Sequence, residues 1–536
     1  MTTTALLSLY ADDPFINILA QPLLHRNATD PARIQVKGIT GSLDAVLAAT
    51  LTKQVAGNHL FVLTDKEEAS YFFNDLQNLL GLSDALDRDR TKGTATGLSN
   101  VLLFPMSYKK PYQYEEVENA NVLMRAEVLN QVNMGGGSSS GTPPALIVTY
   151  PEALFEKVIN RRSLKANTMA VRVGDRLDSN FVSEMLQNYE FEKTDFVYEA
   201  GQFSVRGGII DVFSFASEFP YRIELFGDEV ESLRHFNPET QLSTETRLDL
   251  ISIIPNVQTR LTQETRESFL DFLPKETCLW FKDIEFTLEI VEKCFERAEQ
   301  SLAQVVGSGG DIQVVDDPDT LFETRRAFLN HVKRFTTVEF GRKFYFKSES
   351  KLAYPSKPQP SFNKDFKRVA EALNDYQSKG FTNIVVAESF KQLERLKTVF
   401  DEVDPFLKFQ TLQVGIKEGF IDETLKVVCF TDHQIFDRYF KYRVRDKFSK
   451  SKALTLRDLK TLQPGDYVTH VDHGIGRFAG MERVDHGGNE QETIRLIYRD
   501  NDMLLVSIHA LHKISKYSGK EGGPPTMSKL GSQEWD

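Results

Sequence analysis

The segment LQPGDYVTHVDHGIGRFAGMERV (462–484), continued by ETIRLIYRDNDMLLVSIHALHKISKYSG (492–519), is made of short alternating apolar and polar runs broken by Gly- and Asp-rich turns. A period of two is the mark of half-buried strands, and several such runs at short spacing predict a small β-barrel. No nucleophile, acid and base stand together in it, so it reads as a docking module. The chain then ends on LGSQEWD (530–536) with nothing to close another domain, which predicts the front half of a larger protein.

Working outward, residues 360–435 alternate helical and strand patterns: DFKRVAEALNDYQSKG, TNIVVA, SFKQLERLKTVFDEV and LKVVCFT. They predict a small βαβ domain. The Lys- and Arg-rich run RYFKYRVRDKFSKSKALTLR (438–457) reads first as a solvated linker or helix face, ahead of a nucleic-acid patch. The N-terminal part, to about residue 167, is α/β: helix LDAVLAATLTKQV (43–55), strand HLFVLT (59–64), helix EEASYFFNDLQNLLG (67–81), then strands NVLLFP (100–105) and ALIVTY (145–150). GGGSSSGTPP (135–144) reads as a surface loop. Between 168 and 253 the runs FVYEAGQFSV, GIIDVFSF, YRIELFG and EVESLRHF predict an antiparallel meander. IEFTLEIVEKCFERAEQSLAQV (284–305) is one long helix whose region is expected to close back onto the first segment. The predicted fold class is therefore multi-domain α/β with a C-terminal barrel.

A length of 536 residues suggests roughly three to five domains. The formal net charge of −12 argues against DNA as the first partner. Cys278, Cys294 and Cys429 have no paired spacing, which fits reduced thiols in a cytoplasmic protein and supplies no zinc site. No signal peptide or membrane span is expected. His470 and His473 in THVDHG form a His-x-x-His pair beside Asp472, but no further ligand has suitable spacing, so turn-capping is the favoured role. The acidic strings YEEVEN (114–119) and GDEVES (227–232) read as solvated faces. No catalytic residue, metal or cofactor is expected.

GITGSLDA (38–45) opens the first helix at the place of a phosphate loop. Such a loop needs Gly-Lys-Ser/Thr at its end: amides cradle phosphate, Lys neutralises it and the hydroxyl holds Mg²⁺. Leu43, Asp44 and Ala45 stand there instead. Leu43 obstructs close backbone approach, Asp44 repels a triphosphate and Ala45 has no metal ligand. In GQFSVRGGIIDVF (201–213), alternation puts Phe203 and Val205 on one face and Gln202, Ser204 and Arg206 on the other. In YRIELFGDE (221–229), Ile223 and Leu225 point to the core while Arg222, Glu224 and Phe226 point away. Gly207-Gly208 allows a bulge or a close approach. Arg and large aromatics are enriched at interface hot spots. From patterning alone, a docking face and a face covered by another domain stand even.

At these residues the chain resembles a known family. GQFSVRGGIIDVFSFASEFPYRIELFGDEVESLRHFNPETQLS is similar to the signature shared by UvrB and the transcription-repair coupling factors, the Mfd family. GITGSLDA resembles the UvrB phosphate loop with its catalytic residues lost, as is typical of that family. FPMSYKKPYQYEE (104–116) with Arg125 resembles the segment after its second strand, and 462–484 resembles the CarD-like RNA-polymerase-interacting domain. UvrB itself is excluded by the dismantled loop and the C-terminal barrel, and a stand-alone CarD protein by the residues in front.

The resemblance implies a UvrB-like α/β module with an inserted antiparallel α+β domain, a small α/β domain and a CarD/Tudor-like barrel. Its boundaries are 1–167 (domain 1a), 168–253 (domain 2, UvrA-binding), 254–350 (domain 1b), 351–456 (third domain and basic linker), 457–524 (polymerase-interacting domain) and 525–536 (start of a linker). It implies UvrA contacts at Arg206, Arg222 and Phe226; since alternation puts all three on the solvent face, none is expected to be costly to folding if truncated. It also implies contacts to the RNA polymerase β subunit at Val484, with the strand from Leu496 to Leu505 as the adjacent edge. ATP, Mg²⁺ and most DNA contact would belong to translocase domains absent from this chain. The implied role is non-catalytic recruitment of UvrA to stalled polymerase in the cytoplasm. The alternatives are a nucleic-acid-dependent ATPase and a direct damaged-DNA-binding protein.

Overall fold

The structure is a computed structural model. It describes all residues except 26–29, 83–99, 108–118, 135–143, 218, 239–240, 255–264, 308–316, 349, 441–461, 471–472, 487–488, 508–513, 518–526 and 531–536, and only the backbone of 119, 305–307, 483–486, 489–492 and 507. The segments 108–116, 135–143, 441–457 and 531–536, on which parts of the sequence reading fall, and Asp472 thus lie outside the described residues. The chain divides into two compact units, one of Met1–Asn237 with Leu242–Phe448, the other of Pro238–Gln241 with Ser449–Asp536.

In the first unit, a seven-stranded sheet runs in the order Ser350–Ala353, Arg33–Lys37, Thr337–Glu339, Cys278–Phe281, His59–Val62, Leu146–Thr149, Val101–Phe104. Every pairing in it is parallel. Its central strands are buried at every residue, because helices cover both faces of a parallel sheet. Strands from before 170 and after 270 share this sheet, so residues 278–353 do close back onto the first segment. Helix Leu43–Gln54 lacks a wet stripe: apart from Asp44, Leu43 through Leu51 are buried. Helices Thr3–Ala11 and Pro14–Leu24 pack on it.

The antiparallel meander has the order Ser243–Arg247, Glu229–Phe236, Tyr221–Phe226, Ile209–Val212, Gln202–Arg206, Glu192–Lys193, the last pair being parallel. Phe203, Ile210, Val212, Ile223, Val230 and Leu233 bury one face against helix Ser179–Asn188. The predicted strand FVYEAGQFSV is shorter than expected and starts at Gln202. Gly201 at φ +88° turns the chain there, and the preceding residues fold over the opposite face, where Val197 packs on Phe213 and Phe236.

The third region is a mixed five-stranded sheet ordered Ser356–Pro358, Phe420–Asp422, Val427–Thr431, Thr382–Ala387, Gln410–Gln413. Helices Phe366–Ser378 and Phe390–Val403 flank it, the second opened by a Ser389/Gln392 capping box. Ile384, Val386, Leu412, Phe420, Val427 and Cys429 belong to the same buried cluster as the seven-stranded sheet. The domain is therefore packed onto the α/β module.

In the second unit, five antiparallel strands run in the order Met503–Ser507, Asn489–Ile497, Gly474–His486, Tyr467–His470, Ile514–Lys516. Val468, Phe478, Ile494, Leu496, Tyr498, Val506 and Ile514 form their core. The two outer strands are not paired with each other among the described residues, so what is described is an open sheet where the sequence predicted a barrel. Among the described residues, no helix is long and apolar enough to cross a membrane.

Candidate functional site

The segment GITGSLDA (38–45), read from the sequence as a dismantled phosphate loop, joins strand Arg33–Lys37 to helix Leu43–Gln54, where an open parallel sheet places its ligands. Another part of the chain fills that position. The Ser42 amide donates to the Glu418 carbonyl at 3.1 Å, and the Glu418 amide donates to Ser42 Oγ at 2.9 Å. Ser42 Oγ donates to Asp75 at 2.5 Å, and Asp75 also accepts from the Lys417 amide at 3.0 and 3.2 Å. Gly41 adopts φ +58°, and a Cβ on it would lie 2.5 Å from the Gly419 carbonyl oxygen. The amide that would meet a phosphate is thus bonded to a carbonyl of the third domain.

Each predicted substitution in the loop has a place in this arrangement. Leu43 and Ala45 are fully buried in the core. Asp44 is bonded by Lys282 Nζ at 2.6 Å, and Glu68 is 3.8 Å from the same ammonium. These carboxylates raise the Lys282 pKa against burial, the largest influence, which lowers it. Asp75 is buried, and burial pushes its carboxyl up to about 7 despite the hydrogen bonds that favour its charge. At the same junction the Tyr354 hydroxyl lies 2.8 Å from Asp13 and 2.7 Å from Asp422. Burial raises Asp422 as well. Arg125 is buried and structural: it bonds the Pro105 and Ala153 carbonyls, pairs with Glu156 at 3.5 Å and stacks on Phe104.

On the meander, Arg206, Arg222 and Phe226 share the face opposite the Phe203–Ile223 core. The hairpin between Arg206 and Ile209 turns on Gly207-Gly208, and a Cβ on Gly208 would meet the Leu225 carbonyl oxygen at 2.8 Å. Phe226 sits at the tip of the next hairpin and is 80% exposed. The two arginines are not free surface groups. Both grip Asp211, which is fully buried: Arg222 through Nε at 2.7 Å and Nη2 at 2.8 Å, Arg206 through Nη2. Arg222 also bonds Ser243 at 3.1 Å and stacks on Phe236, while Arg206 lies over Phe196. The side chain of Arg222 is only 12% exposed and that of Arg206 37%. The expectation that truncating any of the three is harmless to folding therefore fails for Arg222, because a buried carboxylate depends on it.

Asp211 was missed in the sequence, although a signal existed. A two-residue turn at Gly207-Gly208 pairs Arg206 with Ile209, hence Ser204 with Asp211, which brings Asp211 beneath the arginine.

In the second unit, Val484 pairs with Gln491 on the Gly474–His486 strand, and its side chain lies outside the described residues. Leu496 is fully buried in the sheet core and Leu505 is 40% exposed. Of the predicted edge, Leu505 stands at the surface and Leu496 does not, because alternation turns Leu496 toward Phe478 and Leu504. Met503, two residues before Leu505 on the same strand, is also exposed. His470 is buried and its ring stacks on His473 at 4.7 Å. Among the described residues no group of three metal-ligating side chains occurs.

Two family models match the chain: the UvrB interaction domain at residues 169–258 and the CarD-like/TRCF RID domain at 462–518. The first covers the meander with its Arg–Phe face, the second the five-stranded sheet. Similar curated proteins are named transcription-repair-coupling factors. The one from Bacillus subtilis is 24% identical over 93% of this chain and 46% of its own length. That from Staphylococcus epidermidis is 27% identical over 69% and 37%, and that from Borreliella burgdorferi 22% identical over 85% and 42%. The resemblance drawn from the sequence is thus borne out along most of the chain, which spans less than half the length of these relatives.

Proposed function

We propose that this chain is a non-catalytic adaptor of transcription-coupled repair. It would recruit UvrA through the face carrying Arg206, Arg222 and Phe226, and hold the RNA polymerase β subunit through the C-terminal sheet at Val484 and Leu505. The translocase activity, ATP, Mg²⁺ and main DNA contacts of full-length family proteins would then lie outside these residues, and the chain would act in the cytoplasm.

The observation that carries the reading is Phe226. A large aromatic ring standing 80% exposed at a hairpin tip gains nothing for the fold, and beside it two guanidiniums are held in place by a buried carboxylate. Rigid aromatic and Arg anchors of this kind are what interface hot spots use. The phosphate-loop remnant supports the non-catalytic part, since its Ser42 amide is taken by Glu418.

The test is the affinity of the full chain for UvrA. Phe226→Ala should weaken it by about 1–4 kcal/mol while leaving thermal stability unchanged. Wild-type affinity of that variant would refute this use of the face.

A further inference from the structure

On the sheet that carries Phe226, the strand register brings further arginines into line. Arg222 pairs with Arg234, and Arg234 with Arg247, so three guanidinium side chains follow one another across three adjacent strands. In an antiparallel pair, directly opposed Cβ atoms are about 4.5–5.5 Å apart, and like charges there repel. Arg222 is neutralised by Asp211. Arg234 and Arg247 are not: neither guanidinium makes a hydrogen bond or ion pair among the described residues, and Arg234 Nε is shut off from solvent without an acceptor. Two acids on the same sheet are already engaged. Asp211 is shared by Arg206 and Arg222, Glu224 accepts from Ser232, and Glu245 on the strand of Arg247 pairs with neither arginine. The chain as a whole carries a net charge of −12, so two adjacent arginines without a side-chain partner among the described residues run against its composition.

We infer that the docking face extends from Arg206, Arg222 and Phe226 to Arg234 and Arg247, and that this second pair takes a carboxylate-bearing segment of the protein that buries Phe226. The inference rests on the reading of that face as a docking surface. An opposed guanidinium pair offers planar forks that match carboxylates, and filling it relieves the repulsion the free protein carries. A protein segment is favoured over a nucleic acid because the apolar anchor lies on the same face and the chain's negative charge opposes a polyanion.

The experiment titrates UvrA against the full chain at two salt concentrations, with wild type, R234A/R247A, R247E and F226A in parallel. Paired loss at Arg234 and Arg247 should lower affinity ten-fold or more and flatten the salt dependence. R247E should raise the thermal midpoint of the free protein, by pairing with Arg234, and still weaken binding. A structural role for Arg247 would instead lower both, which overturns the proposal. If F226A abolishes binding while R234A/R247A and R247E bind like wild type, the extension is wrong and the docking reading stands. If F226A also binds like wild type, the docking reading fails with it. A short DNA duplex is the control: arginine variants that lose duplex binding but keep UvrA binding would refute a protein segment as the occupant.

Discussion

Arg222→Ala separates anchoring from contact on the face proposed for docking. Asp211 is fully buried and receives three guanidinium hydrogen bonds, two of them from Arg222. Hydrogen bonds to charged groups contribute about 1.5–3 kcal/mol each, and breaking one side of a buried pair costs about 3–5 kcal/mol. Arg206 remains as a partner, so a loss of about 2–4 kcal/mol is expected, part of it from the guanidinium that stacks on Phe236. Phe226 is 80% exposed, and its truncation should change stability by less than about 0.5 kcal/mol. The assay is hydrogen exchange of the amides in Tyr221–Phe236, which reads the opening of this hairpin without assuming two-state unfolding of a multi-domain chain. Asp211→Asn added to Arg222→Ala should recover part of the loss, because the orphaned group is then neutral. Protection within about 0.5 kcal/mol of wild type in Arg222→Ala would refute the account of Asp211 as a buried anchor.

Asp75 makes the junction with the third domain pH-dependent. Its folded pKa of about 7 lies above the ordinary 3.8, so the folded state binds the extra proton and stability should fall as pH rises from about 4 to about 7, by on the order of 1 kcal/mol per pH unit. Thermal midpoints of wild type and Asp75→Asn across this window should diverge, and parallel curves would remove the carboxyl from the junction. Calorimetry with ATP and Mg²⁺ should show no binding to the full chain; micromolar affinity lost on changing residues 41–45 would contradict the plugging of the loop by Glu418. Val484→Arg should abolish binding to the polymerase β subunit while leaving the melting curve of the chain unchanged, since docking would bury an unpaired charge at a cost of several kcal/mol. Unchanged affinity would place the contact elsewhere on the sheet.

The sequence by itself determined what depends on local periodicity. Alternation in 202–206 and 221–226 placed Arg206, Arg222 and Phe226 opposite Phe203 and Ile223, because successive strand residues face opposite ways whatever surrounds them. The helices at 284–307, 366–378 and 390–403 followed from apolar spacing in the same way. The reading of Leu43-Asp44-Ala45 as residues that cannot hold a phosphate was equally local. Tertiary structure alone decided which groups far apart in the chain are paired. A loop more than 370 residues away closed on Ser42, and the Tyr354 hydroxyl met Asp13 from 341 residues along the chain. Such contacts join segments whose separation in sequence carries no periodic signal. Only the packing of one domain on another brings Glu418 to Ser42 or Asp13 to Tyr354.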